Sequence, residues 1–360
     1  MSLNEFLNDK KYTAAFFLLA LCFFLLDWYL FAAVGEKEEH IRRLETETAL
    51  LENRAKLPKR SSRMPFLETL LEDTAADTVF SAFMESGCAV EEIKEEGWVI
   101  TELRTDMGFT SRLALKPVHE GKRRGIFIVC AGGAFLFKSS NEAKPVAEYF
   151  YRAGINVAIL DYHVDPAKQK DSDKLDVRIS AGEDGLAAIR YLRLHADELG
   201  ICPDKIAIGG FSAGGMLSAY AATQFSYGNP QAEDAAERVS SRPDAALILY
   251  GAMSDSGIQD SGMFAFDFKE QAERCKYDPV RNIHSDCPPM FVFQTHKDDP
   301  RHALLFCYEL AGRGVPYELH TFGEGPHGGA LYNGEDETPL FKHTSRWAPL
   351  AAEWLEEQGF

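Results

Sequence analysis

The chain has 360 residues, 46% apolar and 26% charged, which suits one large globular domain with an appendage. Its 55 acidic and 38 basic residues give a formal net charge of −17. That balance argues against a nucleic-acid partner, because phosphate binding needs a cationic surface and the basic clusters are short, at Lys59–Arg63 and Lys122–Arg124. Seven cysteines without C-x-x-C spacing argue against a disulfide framework or a zinc site, and the sequence calls for no metal or cofactor.

After a tail of residues 1–11, residues 12–34 form an apolar run whose one charge is Asp27. A helix of that length reaches about 35 Å, enough to cross a hydrocarbon core of roughly 30 Å. Trp28 and Tyr29 suit a membrane interface. Asp27 has to lie there as well, since a carboxylate at mid-bilayer costs about 2.5–3.5 kcal/mol. Two readings stay open: a single-pass membrane anchor, favoured by span length, and a cleaved signal peptide with Lys10 and Lys11 before the core Ala14–Leu26. Lys10 and Lys11 on one flank and Lys37, Arg42 and Arg43 on the other leave the side of the membrane undecided.

Residues 35–63 are charged and helical in composition, with Ile41, Leu44, Thr48, Leu51 and Ala55 three and four apart. Such a stalk could pair two copies as a homodimer. Thr and Ala in so short a seam favour a solvated spacer instead. Residues 64–360 make the main domain. Strand-like runs fall at Trp98–Leu103, Arg112–Pro117, Gly125–Cys130, Ile155–Tyr162, Lys205–Gly209, Ala245–Tyr250, Met290–Gln294 and Tyr317–Phe322. Helical stretches at Asn141–Ala153, Val177–Leu199, Ala213–Phe225, Arg301–Arg313 and Arg346–Glu357 alternate with them. The alternation predicts an α/β fold: a mostly parallel central sheet with helices on both faces. Residues 254–287 read as a cap insertion, with Met263, Phe264, Phe266 and Phe268 either lining an acyl pocket or packing internally.

In a parallel sheet, chemistry gathers where loops leave the carboxyl ends of the strands. Gly210-Phe211-Ser212-Ala213-Gly214-Gly215 follows one strand and opens a helix. Small residues on both sides allow a strained turn that lifts the Ser212 hydroxyl clear, so Ser212 is the candidate nucleophile. Another strand ends in Ala131-Gly132-Gly133-Ala134-Phe135, a nearly bare loop able to aim N–H groups at an oxyanion. Gly132, Gly133 and Ala134, with the N–H of Ala213, are the candidate oxyanion hole. Asp298 and Asp299 end a third strand, and either is a candidate acid or a helix cap. His327 lies in the glycine-rich loop after the last strand. Nucleophile, acid and histidine occur in this order at separate strand ends, as a Ser-His-Asp relay on such a sheet requires.

In these motifs the chain resembles the bacterial esterase/lipase branch of the α/β-hydrolases, including acetyl-xylan-esterase-like carboxylesterases. The resemblance covers roughly residues 95–357. It rests most on Leu192–Ile206 leading into the serine turn, and also on Arg242-Pro243-Asp244, Pro288–Phe291 and Gly314–His320. It implies a serine hydrolase of carboxylic esters working through an acyl-enzyme, with short acyl or acetyl esters, some of them of sugars, as small-molecule substrates. It also implies Asp298 as the acid. Ala134 departs from the three glycines usual in the family's oxyanion loop, and Met216 stands where the family often has His. A serine peptidase on the same fold and a catalytically silent, membrane-anchored binding protein are the alternative readings.

Overall fold

The computed structural model describes residues 97–360 apart from 105–109, 122, 166–174, 254–277 and 337. The expected anchor at 12–34, the stalk at 35–63, most of the cap and its four candidate pocket residues lie outside the described residues. Eight strands form one sheet in the order β1-β2-β4-β3-β5-β6-β7-β8. They are β1 (Val99–Arg104), β2 (Thr110–Leu115), β3 (Ile126–Cys130), β4 (Asn156–Asp161), β5 (Ile206–Phe211), β6 (Ala245–Leu249), β7 (Met290–Thr295) and β8 (Tyr317–Phe322). β1 and β2 run antiparallel to their neighbours, whereas β3 to β8 are parallel.

The longer helices are α1 (Lys144–Arg152), α2 (Leu175–Leu194), α3 (Ala213–Thr223), α4 (Arg301–Gly312) and α5 (Trp347–Glu357). Two expected helices are divided. Ser140–Glu142 forms a separate 3₁₀ turn ahead of α1, which starts at Lys144 with a proline in its first turn. The stretch expected as one helix over Val177–Leu199 breaks at His195, resumes for one turn, and stops at Gly200 with φ 70°.

The period-two pattern of the strands explains the layers. In β3, Ile126, Ile128 and Cys130 join α2, α3 and α4 in one buried cluster, while Phe127 and Val129 join α1 and α5 in the other. Because both faces are covered, β3 to β7 read as continuous apolar runs instead of an alternating pattern. Cys130, Cys202, Cys287 and Cys307 are free thiols, and burial pushes Cys307 up to about 12.

The Leu192–Ile206 and Arg242–Asp244 motifs meet at the amino ends of β5 and β6. Arg193 donates to the carbonyls of Pro203 (3.0 Å) and Ser240 and pairs with Asp244 at 2.7 Å. Asp244 Oδ2 also accepts the Ile206 N–H at 3.0 Å. One arginine thus fastens the end of α2 to the starts of two central strands. Burial raises the Asp244 carboxyl above its usual range, against the pull of Arg193. Removing the cation leaves a part-buried carboxylate with only the Ile206 N–H and the more distant Arg242 to compensate it. Arg193→Ala is therefore expected to lower unfolding free energy by about 3 kcal/mol, measured by urea denaturation.

Candidate active site

Ser212 sits between β5 and α3 with φ 50° and ψ −114°, a left-handed conformation that L residues rarely adopt. The packing around it explains the flanking glycines. A Cβ at either Gly210 or Gly214 would lie 2.1 Å from the Cys130 carbonyl oxygen at the end of β3. Glycine at both positions lets the turn close against that strand, with the Ser212 N–H held on Leu249 O at 3.0 Å.

The loop after β8 carries His327, and hydroxyls hold three successive carbonyls of it. Thr344 Oγ1 donates to Glu324 O (2.7 Å), Thr295 Oγ1 to Gly325 O (2.7 Å) and the Tyr332 hydroxyl to Pro326 O (2.6 Å). Gly325, at φ 112°, supplies the backbone conformation that this path needs. So held, His327 lies between the other two candidates: its Nε2 is 2.8 Å from Ser212 Oγ and its Nδ1 is 2.6 Å from Asp298 Oδ2. A carboxylate beside Nδ1 fixes the proton there, which leaves Nε2 to accept from the Ser212 hydroxyl.

Of the two acid candidates, the structure brings Asp298 to the histidine. Its other oxygen accepts the Asp299 N–H at 2.9 Å. Asp299 instead bonds the backbone (3.1 Å) and guanidinium of Arg301 at the start of α4. Against burial, those bonds hold its carboxyl below the usual range.

One expectation needs correction. Gly132 was expected among the oxyanion donors, but its N–H points at Glu142 Oε2, 2.7 Å away, and is spent there. The N–H groups of Gly133, Ala134 and Ala213 donate to no acceptor among the described residues. Ala134 and Phe135 have φ of 53° and 60°, so the alanine that replaces the family's usual third glycine occupies a left-handed position.

Glu142 and Tyr250 were not singled out in the sequence. Glu142 is 2% exposed, and its Oε1 accepts the Tyr250 hydroxyl at 2.6 Å. The Tyr250 oxygen accepts the Ala330 N–H at 3.1 Å, and the Tyr250 ring centroid is 5.0 Å from that of His327. Tyr250 immediately follows β6, so the strand-end rule that led to Ser212 and His327 applied to it too. Glu142 lies ten residues after Gly132 in a stretch of helical composition, and nothing local to it signals burial.

The surroundings of His327 oppose one another. Burial disfavours its charge, but Asp298, by charge and hydrogen bond, and Glu142, by charge, together raise its pKa above the ordinary histidine value.

A protein-family model described as BD-FAE matches residues 113–301, more than half of the chain. The chain belongs to the BD-FAE family. This family is one of α/β-hydrolases, in agreement with the resemblance read from the sequence. The BD-FAE chain is similar to endo-1,4-beta-xylanase B of Butyrivibrio fibrisolvens, with 25% identity over 257 residues, covering 68% of this chain and 39% of that protein. It is also similar to the probable carboxylic ester hydrolase LipM of Mycobacterium tuberculosis, with 27% identity over 46% of this chain and 39% of LipM. The chain thus spans about two-fifths of the length of these curated relatives. Among solved structures it is similar to an acetyl ester-xyloside bifunctional hydrolase from Caldicellulosiruptor lactoaceticus, at 28% identity and TM-score 0.60, covering 69% of this chain and 88% of that one. A propionate-bound esterase from Thermogutta terrifontis matches at 25% identity and TM-score 0.57, covering 73% of this chain and 95% of that one.

The two carboxylates near His327 make a measurement independent of turnover possible. In an NMR titration the His327 imidazole is expected to titrate above the ordinary value of about 6.5, and in Asp298→Asn clearly lower than in the wild type. The raised pKa also means that protonated His327 adds stability below the unfolded-state value. That contribution is lost as pH rises through the folded-state pKa.

Proposed function

We propose that this BD-FAE member is a serine hydrolase of carboxylic esters, acting on short acyl or acetyl esters, sugar esters among them, and tethered to a membrane by residues 12–34. The observation that carries the catalytic reading is the hydrogen-bonded row Ser212–His327–Asp298 beside three N–H groups that have no acceptor among the described residues.

In this reading the Ser212 oxygen attacks the ester carbonyl carbon as its proton passes to His327 Nε2. Asp298 keeps the Nδ1 proton in place and offsets the charge of the imidazolium. The carbonyl oxygen becomes an oxyanion that accepts from Gly133, Ala134 and Ala213, and each such donor lowers the barrier by roughly 3 kcal/mol. The C–O bond of the tetrahedral adduct then breaks, and the alcohol leaves with the proton from Nε2. Water, deprotonated by the same nitrogen, attacks the acyl-Ser212 ester; the acyl–Oγ bond breaks, Ser212 Oγ takes the proton back from Nε2, and the carboxylic acid leaves.

Support for short acyl groups comes from the relatives, one named for acetyl ester hydrolysis and one solved with propionate bound. Support for the tether is the length of the 12–34 run and its single charge.

A fluorophosphonate probe is expected to label the wild type and not Ser212→Ala, which should also lose at least about 10⁴-fold in kcat/KM toward p-nitrophenyl acetate. Absence of labelling in the folded wild type would exclude the enzyme reading and favour a binding protein. Across acyl lengths, acetyl and propionyl esters are expected to be turned over at least about 10-fold faster than octanoyl esters. The full chain is expected to stay with membranes through an alkaline carbonate wash, and its release would rule out the anchor.

A further inference from the structure

Two loops must hold register for the chemistry above: Ala131–Phe135, which carries oxyanion donors, and Gly323–Gly329, which carries His327. They leave different strands, β3 and β8, four places apart in the sheet order. One side chain and its phenolic partner join them. Glu142 Oε2 takes the Gly132 N–H (2.7 Å) and Oε1 takes the Tyr250 hydroxyl (2.6 Å). The Tyr250 oxygen in turn takes the N–H of Ala330, three residues beyond His327 (3.1 Å).

We propose that Glu142 is a positioning residue for the esterase reaction: as a buried carboxylate it locks the oxyanion loop to the histidine loop through Tyr250 and serves as a second anion for the His327 imidazolium. The inference rests on the esterase reading of Ser212.

The hydrogen-bond pattern fits the ionised form. Each carboxylate oxygen faces one donor, whereas a protonated acid would turn an O–H toward an N–H or a phenol. Burial dominates and leaves the Glu142 carboxyl above its usual range, while the Tyr250 hydroxyl, the charge of His327 and the Gly132 N–H limit the rise. Burial, followed by the charge of Glu142, holds Tyr250 well above the usual phenol range, so Tyr250 keeps its proton and donates. Glycine at 132 fits the same arrangement, because a Cβ there would lie 2.5 Å from Glu142 Oε2. With its own N–H fixed on Glu142, Gly132 anchors a loop whose next two N–H groups have no acceptor among the described residues.

His327 is bonded to Asp298 after β7 and Ser212 after β5, has the Tyr250 ring after β6 beside it and feels the charge of Glu142 after β3, while Tyr332 holds the carbonyl of Pro326 just before it. Both tyrosines are held protonated, since burial first and then nearby carboxylates raise each well above the usual range. The anions that raise the His327 pKa are thus Asp298 and Glu142. Removing the charge of Glu142 makes His327 easier to deprotonate. The active, neutral imidazole then persists to lower pH.

Glu142→Gln keeps the shape and removes the charge, while Tyr250→Phe keeps the ring and the charge and removes the link. In Glu142→Gln, kcat is expected to fall about 30-fold, less than the 10²–10³ for losing a whole oxyanion donor, with KM changed less than about 3-fold. The acid limb of its pH-rate profile moves to lower pH. In Tyr250→Phe, kcat falls by a similar factor without that downward movement. A Glu142→Gln enzyme with wild-type kcat, or one with reduced kcat and an unmoved acid limb, overturns the proposal. If Glu142→Gln does not fold, Tyr250→Phe decides: wild-type kcat in that variant overturns the link. If the wild type shows no Ser212-dependent hydrolysis, the esterase reading has failed on its own. The His327 imidazole titration then still tests the charge of Glu142, and an unchanged His327 pKa in Glu142→Gln overturns it.

Discussion

The arrangement depends on one close approach, the nucleophile turn closing onto the carboxyl end of β3. With an ideal Cβ at 210 or 214 only 2.1 Å from the Cys130 carbonyl oxygen, no side chain fits at either position. The turn then has little freedom, and Ser212 is driven to a φ of 50°. The chain leaving β3 must run beside it, and a Cβ at Gly132 would lie 3.0 Å from that of Ser212. The serine and the loop that faces it are therefore one packing solution, and a change in either strand end disturbs both.

That solution stores strain, and the strain is local. Among the described non-glycine residues with positive φ, Ala134, Phe135, Ser212, Tyr250, Ala330 and Tyr332 belong to the loops and turns around the site, and Asp336 is the exception. At about 1–2 kcal/mol each, such residues persist only where their surroundings over-determine them. The surroundings here do so. Ala330 is held at both ends of its peptide groups, its N–H on Tyr250 and its carbonyl on Trp347 Nε1 at 3.0 Å. Trp347 is itself packed on Phe293 at 5.4 Å and against Phe211 at 5.6 Å, the residue before the nucleophile. An aromatic layer beneath the sheet end thus connects β5, β7, α5 and the histidine loop.

The strands and helices were legible because a sheet covered on both faces gives long apolar runs with glycine, proline and aspartate between them. Tyr317–Phe322 agrees residue for residue, and most other bounds agree within two. What was not legible depends on three-dimensional hydrogen-bond direction. Asp298 and Asp299 are adjacent acids of the same type, and only the path of the chain into α4 sends one to Arg301 and the other to His327. Gly132 and Gly133 look alike in the sequence, yet one N–H is taken by a carboxylate ten residues on. Motifs such as Arg193 and Asp244, which carried the resemblance strongly, prove to hold the amino ends of the strands, away from the site.

A buried anion near a developing oxyanion presents an electrostatic problem whose resolution gives Glu142 its place. Desolvating an isolated carboxylate costs several kcal/mol, so Glu142 is tolerable only if both oxygens are bonded and positive charge is at hand. Tyr250 and Gly132 provide the first condition. His327 provides the second, and in the proposed reaction most fully once it has taken the Ser212 proton. At that moment negative charge also appears on the substrate, and an unscreened Glu142 would repel it. The two donors already bound to Glu142 offset part of its charge, while the imidazolium is bonded to Ser212 and Asp298 and attracted by Glu142. Glu142 therefore interacts most favourably with the charge-separated state, which is the condition under which a buried carboxylate lowers a barrier as well as positions a loop.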